Sequence, residues 1–116
     1  MPVLNPDGYE YARTVDPMWR KNRNPPPEGS DCFGVDLNRN YNVTGFGVGA
    51  SPDPCSDSYM GQKPDSEPEV RAASDFLLGH NNNIRASLSL HSYGNKDHYL
   101  ASFQRMIKKI RNNNKA

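Results

Sequence analysis

Apolar residues recur at helical spacing in one clear stretch of the chain. Four of them share one face of a helix: Val70, Ala73, Phe76 and Leu77. Ser66 and Glu69 have the spacing of a capping box, in which a serine caps the helix and a glutamate reaches back to it. Gly79 is a natural C-terminal stop. The pattern therefore predicts a helix that Ser66 caps and that ends at about Gly79.

Short strands are predicted on both sides of this helix. Residues 86–90 alternate between apolar and polar and place His91 at the end of a strand. Residues 32–37 indicate another short strand, and residues 2–4 the end of a buried one. A second, basic amphipathic helix is marked by four apolar positions: Leu100, Phe103, Ile107 and Ile110. This order favours an α/β fold with few strands, one or two helices and many loops.

Proline, glycine and asparagine mark the connections between these elements. Asn5-Pro6-Asp7-Gly8 has the composition of a turn. Tyr9 and Tyr11 then alternate with polar residues, as in a short extended segment. We expect residues 24–29 to form a rigid polar loop. Residues 42–65 should form a long ordered loop.

The α/β reading places two polar segments in one crevice. Sites in such sheets gather beyond the carboxyl ends of the strands. Residues 36–39 and residues 91–93 both follow predicted strands. We therefore expect their side chains to face each other.

Composition limits the classes of function. The chain has 116 residues, which suits one small domain, and its net charge of +1 points neither to nucleic acid nor to a membrane surface. No apolar run reaches the roughly 18 residues that span a bilayer. We expect no signal peptide, because the first residues run directly into a turn.

The two cysteines, Cys32 and Cys55, permit one disulfide. Free thiols remain possible, whereas zinc binding is disfavoured because neither cysteine has a partner at ligand spacing. A disulfide would favour an oxidising compartment. The glycosylation sequon at residues 42–44 agrees with that location.

Taken one at a time, the candidate chemical residues are weakly informative. A histidine at a strand end, such as His91, is more often structural than a metal ligand. Arg20, next to Trp19, could be a surface cation on an aromatic ring. Asp36 and Arg39 could form an ordinary ion pair.

The ordered set of motifs is much more specific. Its members are Asn5-Pro6-Asp7-Gly8-Tyr9, Met18-Trp19-Arg20-Lys21, Gly34-Val35-Asp36-Leu37-Asn38-Arg39-Asn40-Tyr41, Gly45-Phe46-Gly47, Gly49-Ala50-Ser51, Pro54-Cys55-Ser56, Tyr59-Met60-Gly61, Ser66-Glu67-Pro68-Glu69 and Leu90-His91-Ser92-Tyr93. In order and spacing this set resembles the zinc metallocarboxypeptidase family, in its digestive A/B branch. The resemblance covers residues 2 to about 94 and implies the mixed-sheet fold of that family.

The resemblance implies a role for each matched residue. His91 aligns with a zinc ligand, and Arg20 with the arginine that polarises the scissile carbonyl and stabilises the oxyanion. Asn38 and Arg39 align with the pair that binds the terminal carboxylate of a peptide. Asp36 aligns with a carboxylate that orients another zinc-binding histidine.

Three further implications concern the pocket, the cysteines and the location. Ser92 and Tyr93 align with residues that line the substrate subsites. Cys32 and Cys55 align with a disulfide of the family. The resemblance also implies a secreted protein whose partner is a peptide or protein C-terminus.

Part of the family's machinery is not present in this sequence. The His-x-x-Glu motif that supplies two zinc ligands is absent, and the resemblance ends before the general-base glutamate and the tyrosine that closes over substrate. We expect residues 1–94 to be the central portion of a catalytic domain and residues 95–116 a divergent basic helical tail. With one of three zinc ligands, this chain alone should be inactive.

Two alternatives use the same residues differently. A non-catalytic protein could keep the carboxylate clamp and bind peptide C-termini through Arg20, Asn38 and Arg39. A basic interaction module could be built on the C-terminal helix, which carries five cations: Arg105, Lys108, Lys109, Arg111 and Lys115.

Overall fold

The computed structural model of the chain describes residues 3–42, 45–80 and 84. Three helices lie in this part: α1 (Pro6–Thr14), α2 (Leu37–Asn40) and α3 (Pro68–Gly79). Its β-structure is one isolated parallel bridge between Ser51 and Tyr59. The chain divides into two compact units, residues 1–73 and 74–116, with the boundary inside α3. None of the described helices is long and apolar enough to cross a lipid bilayer.

Helix α1 occupies the segment for which a turn and an extended piece were predicted, and both predictions were wrong. Asn5 is the N-cap residue, and its side chain accepts a hydrogen bond from the Gly8 amide at 3.1 Å. Pro6 follows in the first turn, where its missing N–H costs nothing. Asparagine and proline start helices as readily as they form turns, and Tyr9 and Tyr11 then lie within the helix.

A strand was predicted for residues 2–4. The structure describes residues 3 and 4, and neither of them is in a strand. Val3 and Leu4 are 46% and 40% exposed and lie outside any strand. A strand needs a neighbour that pairs its backbone groups. The described residues place no such neighbour beside Val3 and Leu4.

Residues 32–37 are not a strand either, because their backbone groups pair with different segments. The Gly34 amide donates to the Asn24 carbonyl, whereas the Asp36 amide donates to the Tyr59 carbonyl. Gly34 has φ +84°, which interrupts an extended run, and Leu37 already begins α2. This irregular segment nevertheless lies in the interior. The buried apolar side chains of the first unit are Val35, Leu37, Tyr59, Val70 and Ala73.

The long loop predicted for residues 42–65 is confirmed over its described part, 42 and 45–65, which consists of turns, bends and the Ser51–Tyr59 bridge. A disulfide joins Cys32 to Cys55, with 5.1 Å between their Cα atoms. The predicted polar loop at residues 24–29 likewise contains no helix or strand. The sequon residues 43 and 44 lie outside the described part.

Helix α3 confirms the predicted helix and its end at Gly79, but it begins differently. The first helical residue is Pro68, and the Ser66 hydroxyl is hydrogen-bonded to Asn40 and Glu67 rather than serving as the cap of a capping box. Val70 and Ala73 are buried as predicted.

In the second unit, Phe76 is 48% exposed, and its ring stacks on His80 with 4.5 Å between centroids. Its predicted place on a buried helical face is therefore not seen. The predicted strand at residues 86–90 and the predicted helix around residues 100–110 lie outside the described residues.

Candidate functional site

One helical turn brings three of the predicted site residues together. Asp36 is the N-cap of α2, and its Oδ1 accepts a hydrogen bond from the Asn38 amide at 3.1 Å. Leu37 and Asn40 are buried, three positions apart on the inner side of the turn. Asn38 is exposed and Arg39 is half-buried. The short helix therefore anchors itself at both ends and presents Asn38 and Arg39 outward.

The second oxygen of Asp36 holds an arginine from an earlier segment. Arg20 Nε donates a hydrogen bond to Oδ2 at 3.0 Å, and Nη2 forms an ion pair with the same oxygen at 2.9 Å. Arg39 Nε lies 3.9 Å from the same oxygen. Asp36 is 3% exposed, so both guanidinium groups meet a carboxylate that is largely shielded from water. We call Arg20, Asp36, Asn38 and Arg39 the arginine–aspartate cluster.

The backbone near Arg20 is fixed by contacts with the segment before Asp36. The Asn22 amide donates to the Val35 carbonyl at 3.0 Å, and the Val35 amide donates to Asn22 Oδ1 at 2.7 Å. Gly34 makes this approach possible, since a Cβ there would lie 2.2 Å from the Asn22 carbonyl oxygen. These bonds align Arg20 with Asp36.

Helix α1 supports the same backbone from the other side. The Asn5 side chain, which caps α1, also donates to the Lys21 carbonyl at 3.2 Å. A Cβ on Gly8 would lie 2.5 Å from that carbonyl oxygen. The first turn of α1 is thus packed directly against the segment that carries Arg20.

Lys21 and its neighbour Arg20 are both cations, but their side chains have different partners. Its side chain is buried, and Nζ donates to the Pro54 carbonyl at 2.6 Å, beside the disulfide. Burial lowers the pKa of Lys21, and the charges of Asp57 and Asp53 partly offset that effect. Lys21 therefore holds the Cys55 loop, while Arg20 points to the cluster.

The cluster carries two guanidinium groups and one carboxylate, which leaves an excess of positive charge. Arg39 uses little of its donor capacity among the described residues: Nη1 makes one long bond of 3.5 Å to the Asn38 carbonyl, and the buried Nε has no hydrogen-bond partner. A planar guanidinium with free donors can bind a carboxylate through two parallel hydrogen bonds. The cluster is therefore suited to an anionic ligand.

The predicted site residues divide into two groups. Arg20, Asp36, Asn38 and Arg39 are brought together, whereas His91, Ser92 and Tyr93 lie outside the described residues. Over residues 3–42, 45–80 and 84, no three His, Cys, Asp or Glu side chains are grouped so that they could hold a metal ion. The described residues thus do not themselves form a zinc site, and the described side chain that is hydrogen-bonded to the Asp36 carboxylate is Arg20. The predicted role of Asp36 toward a zinc-binding histidine stays a prediction.

Sequence reasoning missed the buried polar residues behind the cluster. Asn22, Asn40 and Glu67 are each at most 2% exposed. A hydropathy pattern places such residues at the surface, because polar side chains are mostly exposed. Glu67 lies within a motif that carried the resemblance, but its spacing suggested no role for it.

Comparison with known proteins identifies the relatives of the chain. The family model described as zinc carboxypeptidase matches residues 1–110. Carboxypeptidase A2 of Rattus norvegicus is 50% identical over 93 residues, which are 80% of this chain and 22% of that protein. Carboxypeptidase B of Bos taurus is 42% identical over 109 residues, 94% of this chain and 26% of that protein. The chain thus spans about a quarter of the length of these relatives.

Solved structures show the same likeness in three dimensions. Bovine thrombin-activatable fibrinolysis inhibitor, in complex with a tick carboxypeptidase inhibitor, matches with a TM-score of 0.75 and 49% identity over 81% of this chain and 32% of its own. Carboxypeptidase A from Helicoverpa armigera matches with a TM-score of 0.74 and 41% identity, covering 81% of this chain and 23% of its own. The described fold is therefore that of a portion of a zinc carboxypeptidase.

Proposed function

Because this chain belongs to the zinc carboxypeptidase family, we propose that it supplies the substrate-facing residues of a metallocarboxypeptidase, which releases C-terminal amino acids from peptides. The activity is that of a longer protein in the relatives, of which the chain spans 22% to 26%. The observation that carries the proposal is the arginine–aspartate cluster, with its excess positive charge and the weakly bonded Nη1 of Arg39.

Each residue of the cluster has a distinct part in this proposal. Arg39 and Asn38 bind the terminal carboxylate of the peptide, a group that every substrate presents and that an amidated peptide lacks. Arg20, which pairs with the same Asp36 oxygen as Arg39, stabilises negative charge that develops on the scissile carbonyl oxygen. Asp36 holds Arg20 through two donors, so the guanidinium is oriented before substrate arrives.

The zinc of the family requires residues beyond the described part. His91 is the one zinc ligand that we assign to this chain, and Ser92 and Tyr93 line the substrate pocket. The described side chains contain no fitting donor set, so no step of this proposal depends on the metal. By itself the 116-residue chain does not hydrolyse peptides, because three protein ligands are needed to hold a catalytic zinc ion.

The same proposal extends to the fold and the cellular location. We propose that the longer protein has the mixed-sheet fold of the family, with residues 86–90 as one of its strands. The Cys32–Cys55 disulfide supports a secreted protein, since disulfides persist in oxidising compartments. We also propose that residues 1–94 are the central portion of the catalytic domain and residues 95–116 a divergent basic helical tail.

Calorimetry with the 116-residue chain tests the clamp. A peptide with a free C-terminal carboxylate should bind, and the same peptide with an amidated C-terminus should bind on the order of tenfold more weakly, because a charged hydrogen bond is lost. Arg39→Ala should abolish this preference, whereas Arg13→Ala, which removes an exposed arginine of α1, should preserve it. Equal affinity of the unaltered chain for both peptides would contradict the proposal.

A hydrolysis assay separates catalysis from binding. With added zinc and an N-blocked dipeptide, we expect no turnover by the chain alone. Zinc-dependent turnover would show that the residues of this chain are sufficient for activity. Preference for the free carboxylate without turnover also describes a non-catalytic binder of peptide C-termini, the second function that the excess positive charge of the cluster favours.

A further inference from the structure

Glu67 is a buried carboxylate that has no part in the proposed binding of substrate. It lies just before α3, is 2% exposed, and accepts hydrogen bonds from three side chains. Ser66 Oγ donates at 2.6 Å, Asn22 Nδ2 at 2.7 Å and Asn24 Nδ2 at 3.4 Å. A buried carboxylate is tolerated only where such donors replace water. Its neighbours are therefore arranged around an acceptor.

The partners of Glu67 hold the segment of Asp36 and Arg39 from both ends. Asn22 accepts a hydrogen bond from the Val35 amide, directly before Asp36. Asn40, the last residue of α2, accepts from the Glu67 amide at 3.2 Å. The Asn22 contact at Val35 and Asn40 at the end of α2 thus bracket residues 36–39. Glu67 touches Asn22 through its carboxylate and Asn40 through its backbone amide.

The same network reaches the segment that carries Arg20. Asn22 lies two residues after Arg20, and its amide pairs with the Val35 carbonyl. Asn40 also donates to the Met60 and Lys63 carbonyls and to Ser66 Oγ, so the loop before α3 is included. Packing is tight here: a Cβ on Gly61 would lie 2.9 Å from Asn40 Nδ2.

We propose that Glu67 is a positioning residue of the carboxylate clamp. Its carboxylate sets the distance between Arg20 and Arg39 by holding Asn22 directly and Asn40 by way of the Ser66 hydroxyl. The inference rests on the proposed function for the meaning of that distance. Glutamate is required because every side chain that faces its oxygens donates a proton. A glutamine would have the same size but would turn an amide N–H₂ toward one of those donors.

Hydrogen exchange of backbone amides tests the positioning role. In Glu67→Gln, one of the side chains that donate to Glu67 loses its acceptor, which loosens the segment that they hold. Backbone amide exchange at Asp36, Asn38 and Arg39 should then become on the order of tenfold faster. The Val15 amide, which bonds within α1 to the Tyr11 carbonyl, should exchange as before. Unchanged exchange at the three amides, or equal acceleration at Val15, would show that Glu67 contributes only general stability.

Two further variants make the test decisive. Glu28→Gln alters an exposed glutamate of the proline-rich loop and should leave all of these rates unchanged. If Glu67→Gln does not fold, Ser66→Ala is the substitute variant, because it removes one donor to Glu67. Amide exchange should then accelerate at Asp36, Asn38 and Arg39 and nowhere else. Absence of this acceleration in Ser66→Ala would overturn the proposal.

Peptide binding distinguishes this inference from the proposed function. If the unaltered chain prefers a free carboxylate, Glu67→Gln should lose most of that preference while Glu28→Gln keeps it. If the unaltered chain shows no preference, the proposed function fails. The exchange rates still decide whether Glu67 positions the segment.

Discussion

Helix α1 and the arginine–aspartate cluster are stabilised in opposite ways, although they touch each other. In α1 the cap joins Asn5 to Gly8 and the ion pair joins Glu10 to Arg13, each three residues apart. In the cluster, Arg20 and Asp36 are sixteen residues apart, and Asn22 and Glu67 behind them are forty-five apart. Local contacts therefore form α1, whereas the cluster exists only when distant segments are packed together.

Because α1 depends on local contacts and the cluster on distant ones, substitutions in the two regions should change stability to different extents. Most side chains of α1 face water, and Gly8 is its one buried residue. The residues behind the cluster are polar but buried, so each lost partner leaves a donor or acceptor without water. We expect large effects behind the cluster, intermediate effects where α1 meets it, and small effects on the outer face of α1.

The largest effect is expected for Asn22→Ala. This change removes donors to Glu67 and Glu69 and the acceptor of the Val35 amide, so the free energy of unfolding should fall by about 3 kcal/mol. Urea unfolding of the chain measures it. Asn24→Ala is the matched control, because Asn24 is exposed and donates only a 3.4 Å bond to Glu67. Similar losses in both variants would mean that burial of Asn22 is unimportant.

An intermediate effect is expected for Gly8→Ala. Alanine favours a helix over glycine, by about 1 kcal/mol. Here its Cβ would lie 2.5 Å from the Lys21 carbonyl oxygen, so we expect a net destabilisation of about 1–3 kcal/mol from overpacking.

Thermal unfolding would reveal the sign of the Gly8→Ala effect. Gly79→Ala serves as its control, since a Cβ at the end of α3 meets nothing within 4 Å. A gain in stability from Gly8→Ala would mean that α1 is not packed against the Arg20 segment.

The smallest effect is expected for Arg13→Ala. Arg13 and Glu10 are both more than half exposed, and their 2.8 Å ion pair is screened by water. The free energy of unfolding should therefore stay unchanged within the error of a urea titration. A clear loss of stability in Arg13→Ala would contradict the local description of α1.

Sequence patterns predicted some parts of the chain and missed others for identifiable reasons. The apolar spacing around Val70 and Ala73 predicted α3, since burial on one helix face leaves that period in the sequence. The strand predicted at residues 32–37 was wrong, because its backbone partners are segments that no local pattern specifies. Asn5-Pro6 was interpreted as a turn, although the same residues start α1.

The candidate site shows the same division. Motifs pointed to Arg20, Asp36, Asn38 and Arg39, and the structure brings these four side chains together. Their roles toward substrate stay predictions, as do those of His91, Ser92 and Tyr93. Glu67 and Asn40 left no signal of burial in the hydropathy pattern.

Motif order and helical period are properties of the linear chain, so the family, the position of α3 and a set of candidate site residues could be predicted from the sequence. Three features appear only in the folded chain: Asp36 holds Arg20, Lys21 turns inward to Pro54, and Glu67 is buried between Asn22 and Asn40. The physical reason is that a polar side chain is buried only where distant segments supply its hydrogen-bond partners.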